Sequence, residues 1–404
     1  MGPLEGLRVL DMTSVVMGPY ATQILGDFGA NVIKVEAPGG DVIRQVGPSR
    51  NKGMGPLFLN SNRSKRSITL DLKTPQGLKV LLRLAERADV LVYNIRPAAM
   101  ARLGLSYEEV AAHNPQIIYA GMFGYSQDGP YASNPAYDDL IQGAALLPYL
   151  IQRAGSDQPR YVPTALSDRV VGLHALSAIL AALHERVRSG QGQRLDIPMF
   201  ECMVNFVLAD HLGGLSFEPP LDRGGYHRQL SPERRPYQTS DGYVCTLLYT
   251  DAHWLRFCEA IGRSDLIEND HRFATFHARM EHIDEVYGTL SQILQQRTTA
   301  EWLEIFGKAD IPAMPMHDIE TVLNDPHLKA IDFFRITEHP TEGHLREMKV
   351  PTRFYRTPAT PVHPVPRQGQ DGREILIEAG FNAEEIRDLD DTGGWLKSDE
   401  TIQA

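Results

Sequence analysis

Between residues 7 and 121 short β-rich runs alternate with helical stretches, and this alternation limits the fold more than any other feature of the chain. The runs 7–12, 31–36, 67–72, 89–94 and 116–121 are predicted strands. A helix is expected over 19–28, with Pro19 in its first turn and Gly29 as its stop. Thr74-Pro75 opens another that runs to about Ala88, and Ser106 with Glu109 forms a capping box for a short third one. Strands joined through helices argue for a mostly parallel, open, Rossmann-like α/β sheet covered by helices. Ligands bind beyond the carboxyl ends of such strands. Here those ends are residues 12–19, 94–97 and 121–137.

A second informative stretch is Tyr161–Pro198, YVPTALSDRVVGLHALSAILAALHERVRSGQGQRLDIP. Val171, Leu173, Leu176, Ile179, Leu180 and Leu183 recur near the 3.6-residue helical period. Arg186 and Arg188 fall in the last turns, Gly190 ends the run, and 193–197 reads as a strand. Asp168 stands at or beside the helix N-cap. Aspartate is a favoured cap, so a structural role is the plain reading. The same position is expected to lower the carboxyl pKa through the helix dipole, leaving an anion at pH 7 that could act as a nucleophile.

The remaining chain suggests a large domain over 1–200 and 360–404 and a smaller α+β domain over 236–330. Pro- and Gly-rich linkers are expected over 201–235 and 331–359. The small domain should open with a hairpin turning at Ser240–Gly242, followed by helices near 252–261, 279–296 and 299–309; a helical pair around Gly380 closes the chain. No run of eighteen apolar residues is present, so a membrane span is not expected. The start lacks the pattern of a signal peptide. Three scattered cysteines, Cys202, Cys245 and Cys258, fit a reducing, cytoplasmic compartment and no metal pair. The net charge of −11 argues against a nucleic-acid partner. Neither a P-loop, a G-x-G-x-x-G fingerprint, HExxH nor G-x-S-x-G occurs, which disfavours nucleotide hydrolysis, usual dinucleotide binding, zinc proteolysis and serine-elbow hydrolysis.

Several segments together resemble the class III CoA-transferase family, also called the CaiB/BaiF family. They include PLEGLRVLDMTSVVMGPYATQILGDFGANVIKVEAPGGD, NRSKRSITLDLKTPQG, ADVLVYNIRPAAMARLGLSYEEV and NPQIIYAGMFGYSQDGPYASNPAYDDLIQG, followed by the Asp168 segment. The resemblance runs through nearly the whole chain. It implies an enzyme that moves CoA from an acyl-CoA to a small carboxylic acid, with Asp168 as the nucleophile that becomes acylated. It also implies coenzyme A as substrate, no metal, and an interlocked homodimer with each active site between the large domain of one subunit and the small domain of the other. Tyr137 stands where racemases of the family carry a histidine, which favours transfer over proton exchange, since a phenol with a pKa of about 10 is a poor base at pH 7. A packed aromatic is the plain alternative. Val16, Met17, Leu70, Lys73, Asn94 and Arg102 match CoA-lining positions, with Arg44 and Arg66 as weaker candidates.

The chain also departs from familiar members. Val16 replaces the glutamine of formyl-CoA transferases, Ala37 replaces an arginine found near the adenine, and no glycine run occurs over 246–251. Formyl and oxalyl substrates are therefore not expected. Leu247, Leu248 and Tyr249 suit either an acyl pocket or a buried strand. The rival readings are an α-methylacyl-CoA racemase-like isomerase and a non-catalytic CoA-binding protein.

Overall fold

Strand β1 (Arg8–Met12) is the centre of a parallel sheet in the computed structural model, which describes residues 2–393 and 395–396. β2 (Asn31–Glu36) and β3 (Lys65–Leu70) lie on one side of it. β4 (Val90–Tyr93), β5 (Ile118–Phe123) and β6 (Gln193–Pro198) lie on the other. The short strand Trp395–Leu396 adds antiparallel to β3. The order β3-β2-β1-β4-β5-β6 reverses direction at β1, so Val9 pairs with Val32 on one side and Val90 on the other. The loops after β1 and β4 therefore splay apart at a topological switch point, where open α/β sheets bind ligands. β3, β4 and β5 are buried along their whole length, as expected for strands covered on both faces.

By internal contacts the chain forms two units. The first takes the residues up to Ala145, Pro163–Asn205 and those from Leu328 on; the second takes Leu146–Val162 and Phe206–His327. Residues 146–162 thus group with the smaller unit. The segment expected to loosen after Glu201 begins instead with a helix, Met199–His211, whose Met203 and Val207 are buried one turn apart. Residues 331–359 hold an antiparallel hairpin, Phe334–His339 with Gly343–Met348.

In the second unit, β7 (Tyr237–Gln238) and β8 (Tyr243–Thr246) form the expected hairpin, and β9 (Ala313–Pro315) completes a three-stranded antiparallel sheet with β8 in the middle. The helices Asp251–Ile261, Ile283–Leu294 and Thr299–Lys308 bury an aromatic core of Trp254, Phe257, Trp302 and Phe306. Each indole N–H finds a carbonyl: Trp254 donates to Leu248 at 3.1 Å and Trp302 to Leu294 at 2.7 Å. The helix expected over 279–296 is interrupted at His282, which separates Phe276–Glu281 from Ile283–Leu294.

The first unit's sheet carries charge in its interior. Asp11 is wholly buried and accepts from Lys65 Nζ at 2.9 Å, Thr22 Oγ1 at 2.6 Å and the Thr13 N–H at 2.9 Å. Lys65 Nζ also donates to the Pro19 carbonyl and to Asn62 Oδ1. Burial alone would raise the Asp11 carboxyl, but Lys65 and Lys34 hold it well below the usual range. Burial pulls the Lys65 ammonium down to about 8, against the opposing attraction of Asp11. Lys65 thus opens β3 as a core residue, two positions before the expected start, because its charge is neutralised there. Asp11→Ala would leave Lys65 buried without its counter-charge. We expect a loss of about 3–5 kcal/mol in urea unfolding, partly recovered by adding Lys65→Met.

Candidate active site

The turn after β1, Thr13–Val16, is fixed by side chains from three other segments. Lys34 Nζ donates to the Thr13 carbonyl at 2.9 Å and pairs with Asp41 at 3.0 Å. Asn94, just past β4, accepts the Ser14 N–H at 3.0 Å and donates to the Ser14 carbonyl at 2.8 Å. Asp41 Oδ1 accepts the Val15 N–H at 3.1 Å. Val15 has φ of 70°, a left-handed backbone that a β-branched residue seldom adopts, and these bonds hold it there. The helix Met17–Asp27 then starts at Val16 with no side-chain cap.

The 24-residue helix Leu166–Ser189 crosses that helix at Gly172. A Cβ on Gly172 would lie 2.8 Å from the Met17 carbonyl oxygen, so only glycine permits the approach. Asp168 is one turn earlier on the same face. By length and composition this helix could cross a membrane. Here Val171, Ala175, Ile179 and Ala182 are buried, and the helix contacts β5, β6 and the Met17–Asp27 helix, as a core helix does.

Asp168 is not the cap. It is the third helical residue, and the N-cap is Ala165. The Asp168 N–H instead donates to Asp138 Oδ1 at 2.9 Å. Asp138 is held in turn by Gln142, whose Nε2 donates to Asp138 Oδ2 at 2.7 Å and to the Thr164 carbonyl at 3.1 Å. The Asp168 side chain receives no hydrogen bond among the described residues and is 8% exposed. Burial first, and the Asp138 carboxylate second, push its pKa up to about 7, against a smaller opposing effect of Arg169. This reverses the lowering expected from the helix start, because the N–H of Asp168 serves a second carboxylate and the side chain has lost its water.

Asp168 opens into a cleft of about 320 Å³ that is also lined by Ser14, Met17, Asn94, Arg96 and Tyr137. The three strand ends expected to bind a ligand all contribute to it. Tyr137 is 65% exposed, so it is not a packed core aromatic in this chain. A second cleft of about 510 Å³ lies over the ends of β1, β2 and β3 and shares Ser14 with the first. Leu70 and Lys73 line it, Leu70 fully buried and Lys73 exposed. Val16 is buried and Arg102 is exposed, and neither lines either cleft. Arg44 pairs with Glu36 at 2.7 Å inside the fold, and Arg66 pairs with Glu378 at 2.7 Å, so both arginines serve structure rather than a ligand. Sequence reasoning missed Asp138, Gln142, Arg96 and Asp41. The acidic pair Asp138-Asp139 carried a signal, but nothing in it pointed to a helix start thirty residues away. Among the described residues, no group of three or more His, Cys, Asp or Glu is arranged to hold a metal.

The raised Asp168 pKa has a consequence for stability. Its folded value of about 7 lies above the ordinary 3.8, so ionisation penalises the fold as pH rises from about 4 and reaches its full effect above 7. Asp168→Asn should therefore match the wild type near pH 4 and exceed it at pH 8 by up to about 4 kcal/mol in denaturant melts. A capping role would leave the two proteins about equally stable at pH 8, since asparagine caps as well as aspartate.

The model of CoA-transferase family III matches residues 4–372. The succinate–glutarate CoA-transferase of Agrobacterium fabrum is 33% identical over 385 residues, spanning 93% of this chain and 95% of that protein. The acetyl-CoA:oxalate CoA-transferase of Acetobacter aceti is 36% identical over 334 residues, spanning 81% and 84%. Among solved structures, a CaiB/BaiF family protein from Brucella suis superposes with a TM-score of 0.78 at 31% identity, covering 94% of this chain and 99% of that one. A match of this length, over a sheet of the same architecture, leaves one assignment: the chain belongs to CoA-transferase family III and is an enzyme of that class.

Proposed function

We propose that this enzyme transfers CoA from a donor acyl-CoA to an acceptor carboxylic acid, with Asp168 as the covalent carrier. An Asp168 carboxylate oxygen attacks the thioester carbonyl, the C–S bond breaks, and CoA leaves as thiolate, giving a mixed anhydride. The thiolate attacks the Asp168 carbonyl carbon and expels the donor acid as its carboxylate, leaving an aspartyl-CoA thioester. The acceptor carboxylate attacks that thioester and releases the thiolate. The thiolate then attacks the acceptor's own carbonyl, freeing Asp168 and the new acyl-CoA. Each activated state is comparable in energy with a thioester, so one difficult exchange becomes reversible steps.

The observation that carries this reading is a carboxylate nine-tenths buried in a cleft, with no structural hydrogen bond, held close to neutral pKa. A group that is poorly solvated attacks more readily than one wrapped in water, and water kept out cannot hydrolyse the anhydride. Met17 and Asn94 would border the thioester end of CoA. Leu70 and Lys73 would border its nucleotide end, with Lys73 available to phosphate. Val16 is buried at the start of the Met17–Asp27 helix and is given no contact with CoA. Tyr137 offers a phenol where proton exchange would need an imidazole, which supports transfer over racemisation. The working form is proposed to be an interlocked homodimer. A sedimentation mass of one chain in a fully active preparation would overturn that.

Acyl-CoA followed by hydroxylamine should modify Asp168 alone, seen by peptide mapping, and Asp168→Ala should lower turnover by at least about 10³-fold. An active enzyme that carries no adduct there would contradict the covalent route. The rate of acylation should rise with pH through about 7 as Asp168 ionises. Asp138→Asn removes a neighbouring negative charge and should shift that rise to lower pH.

A further inference from the structure

Every residue that lines the Asp168 cleft belongs to the first unit. Among the described residues Arg96 is the one cation that lines it. The transfer steps leave this side chain without a task. Arg96 stands two residues past Asn94 and is the N-cap of the helix Pro97–Arg102. Its carbonyl accepts the Ala99 and Met100 N–H groups at 2.8 and 3.1 Å, which fixes its backbone at the helix start. Asn94, bonded to both backbone groups of Ser14, fixes the chain just ahead of it. The side chain makes no cap bond, and a cation is poorly placed at a helix N-terminus. Helix stability therefore does not account for the charge.

Ion pairing does not account for it either. Arg44, Arg63, Arg66 and Arg186 of the same unit each pair with a carboxylate. Arg96 has no carboxylate within ion-pair distance among the described residues. Its Nη1 donates to the Ser133 carbonyl at 3.3 Å, in the segment that also carries Tyr137. A guanidinium has five N–H donors in a rigid fork, so most of them are left for a ligand. The charges that act on Asp168 are those of Asp138 and Arg169, and Arg96 is not among them. The two groups thus stand apart in a cleft of about 320 Å³, with space between them.

We propose that Arg96 receives the reacting carboxylate of the acceptor acid and aims its oxygens at the thioester carried on Asp168. The proposal rests on the CoA-transfer reading above and adds a binding residue for its second half. The logic is one of charge. Each acid enters or leaves the cleft as an anion, beside the Asp138 carboxylate that is bonded to the Asp168 N–H. Like charges at short range repel unless a cation stands close by. A guanidinium matches both carboxylate oxygens at once, and each oxygen keeps a second lone pair for attack. The group that is read is the one every acid carries, so Arg96 serves all acceptors alike.

Two measurements on the full-length enzyme test this. Phenylglyoxal labelling of Arg96 in the wild type, mapped by mass spectrometry, should be slowed by acetate and not by chloride at the same ionic strength. In turnover, Arg96→Gln should raise the KM of whichever of acetate, glutarate and benzoate accept CoA. The rise should be at least about 10-fold and similar from acid to acid, and Arg96→Lys should recover part of it. Thermal melts followed by circular dichroism confirm that each variant is folded. Labelling indifferent to acetate, or an acid KM unchanged in Arg96→Gln, overturns the proposal. So does labelling that CoA slows and acetate does not, because Arg96 would then hold a phosphate. The Asp168 adduct forms from acyl-CoA with no acceptor acid present, so its absence would sink the transfer reading, whereas labelling indifferent to acetate sinks only the role of Arg96.

Discussion

Two buried ion pairs, Lys65 with Asp11 and Lys34 with Asp41, sit where a hydrophobic sheet would otherwise be continuous. They are costly to desolvate, and apolar residues of similar size would fill the same space. Their effect is positional. Asp11 sits on β1 and binds the backbone of the turn that follows it; Lys34 reaches the same turn from β2, and Asp41 reaches it from the loop after β2. With Asn94 from the far side, four segments converge on Thr13–Val15. The unfavourable φ at Val15 sits in a turn whose backbone groups are bound on every side. The position of Met17, and so of the helix that Gly172 packs against, follows from that turn.

Asp168 occupies a place where a carboxylate is ordinarily stabilised, and it is not. A helix start provides unpaired N–H groups. The N–H of Asp168 goes to Asp138, which brings a second negative charge beside the first. Gln142 fixes Asp138, so the second charge cannot swing away. The side chain that results is favourable neither as a buried anion nor as a capping group. Folding carries that penalty because the sheet and the long helix supply stability elsewhere, and a carboxylate with a strongly perturbed pKa in a cleft is what functional sites commonly hold.

The sheet was legible wherever apolar runs were bounded by glycine or proline. β2 was read to the residue, the Ser106–Glu109 capping box is formed, and the hairpin at Ser240–Gly242 turns as expected. Legibility failed where charge is buried. Lys65 lies before the expected start of its strand and is core, and Arg44 and Arg66, the weaker candidates for CoA, are matched to Glu36 and Glu378. It failed again where a contact joins distant positions. The fixed order of the family's segments made Asp168 and Tyr137 stand out. Asp138, separated from the helix it caps by thirty residues, could be found only in three dimensions.

Acyl exchange at a carboxylate is indifferent to what lies beyond the reacting carbonyl. Any thioester presents the same carbon, and any acid presents the same oxygens. Selection among acids must therefore come from groups that see the remainder of the molecule. An apolar wall discriminates weakly, because one methylene is worth only about 1–3 kcal/mol. A polar or charged group that an acid must pair with discriminates far more steeply, since an acid without the matching group leaves it unpaired. Leu248, one of the residues suited to such a wall, is instead buried in the aromatic core of the second unit.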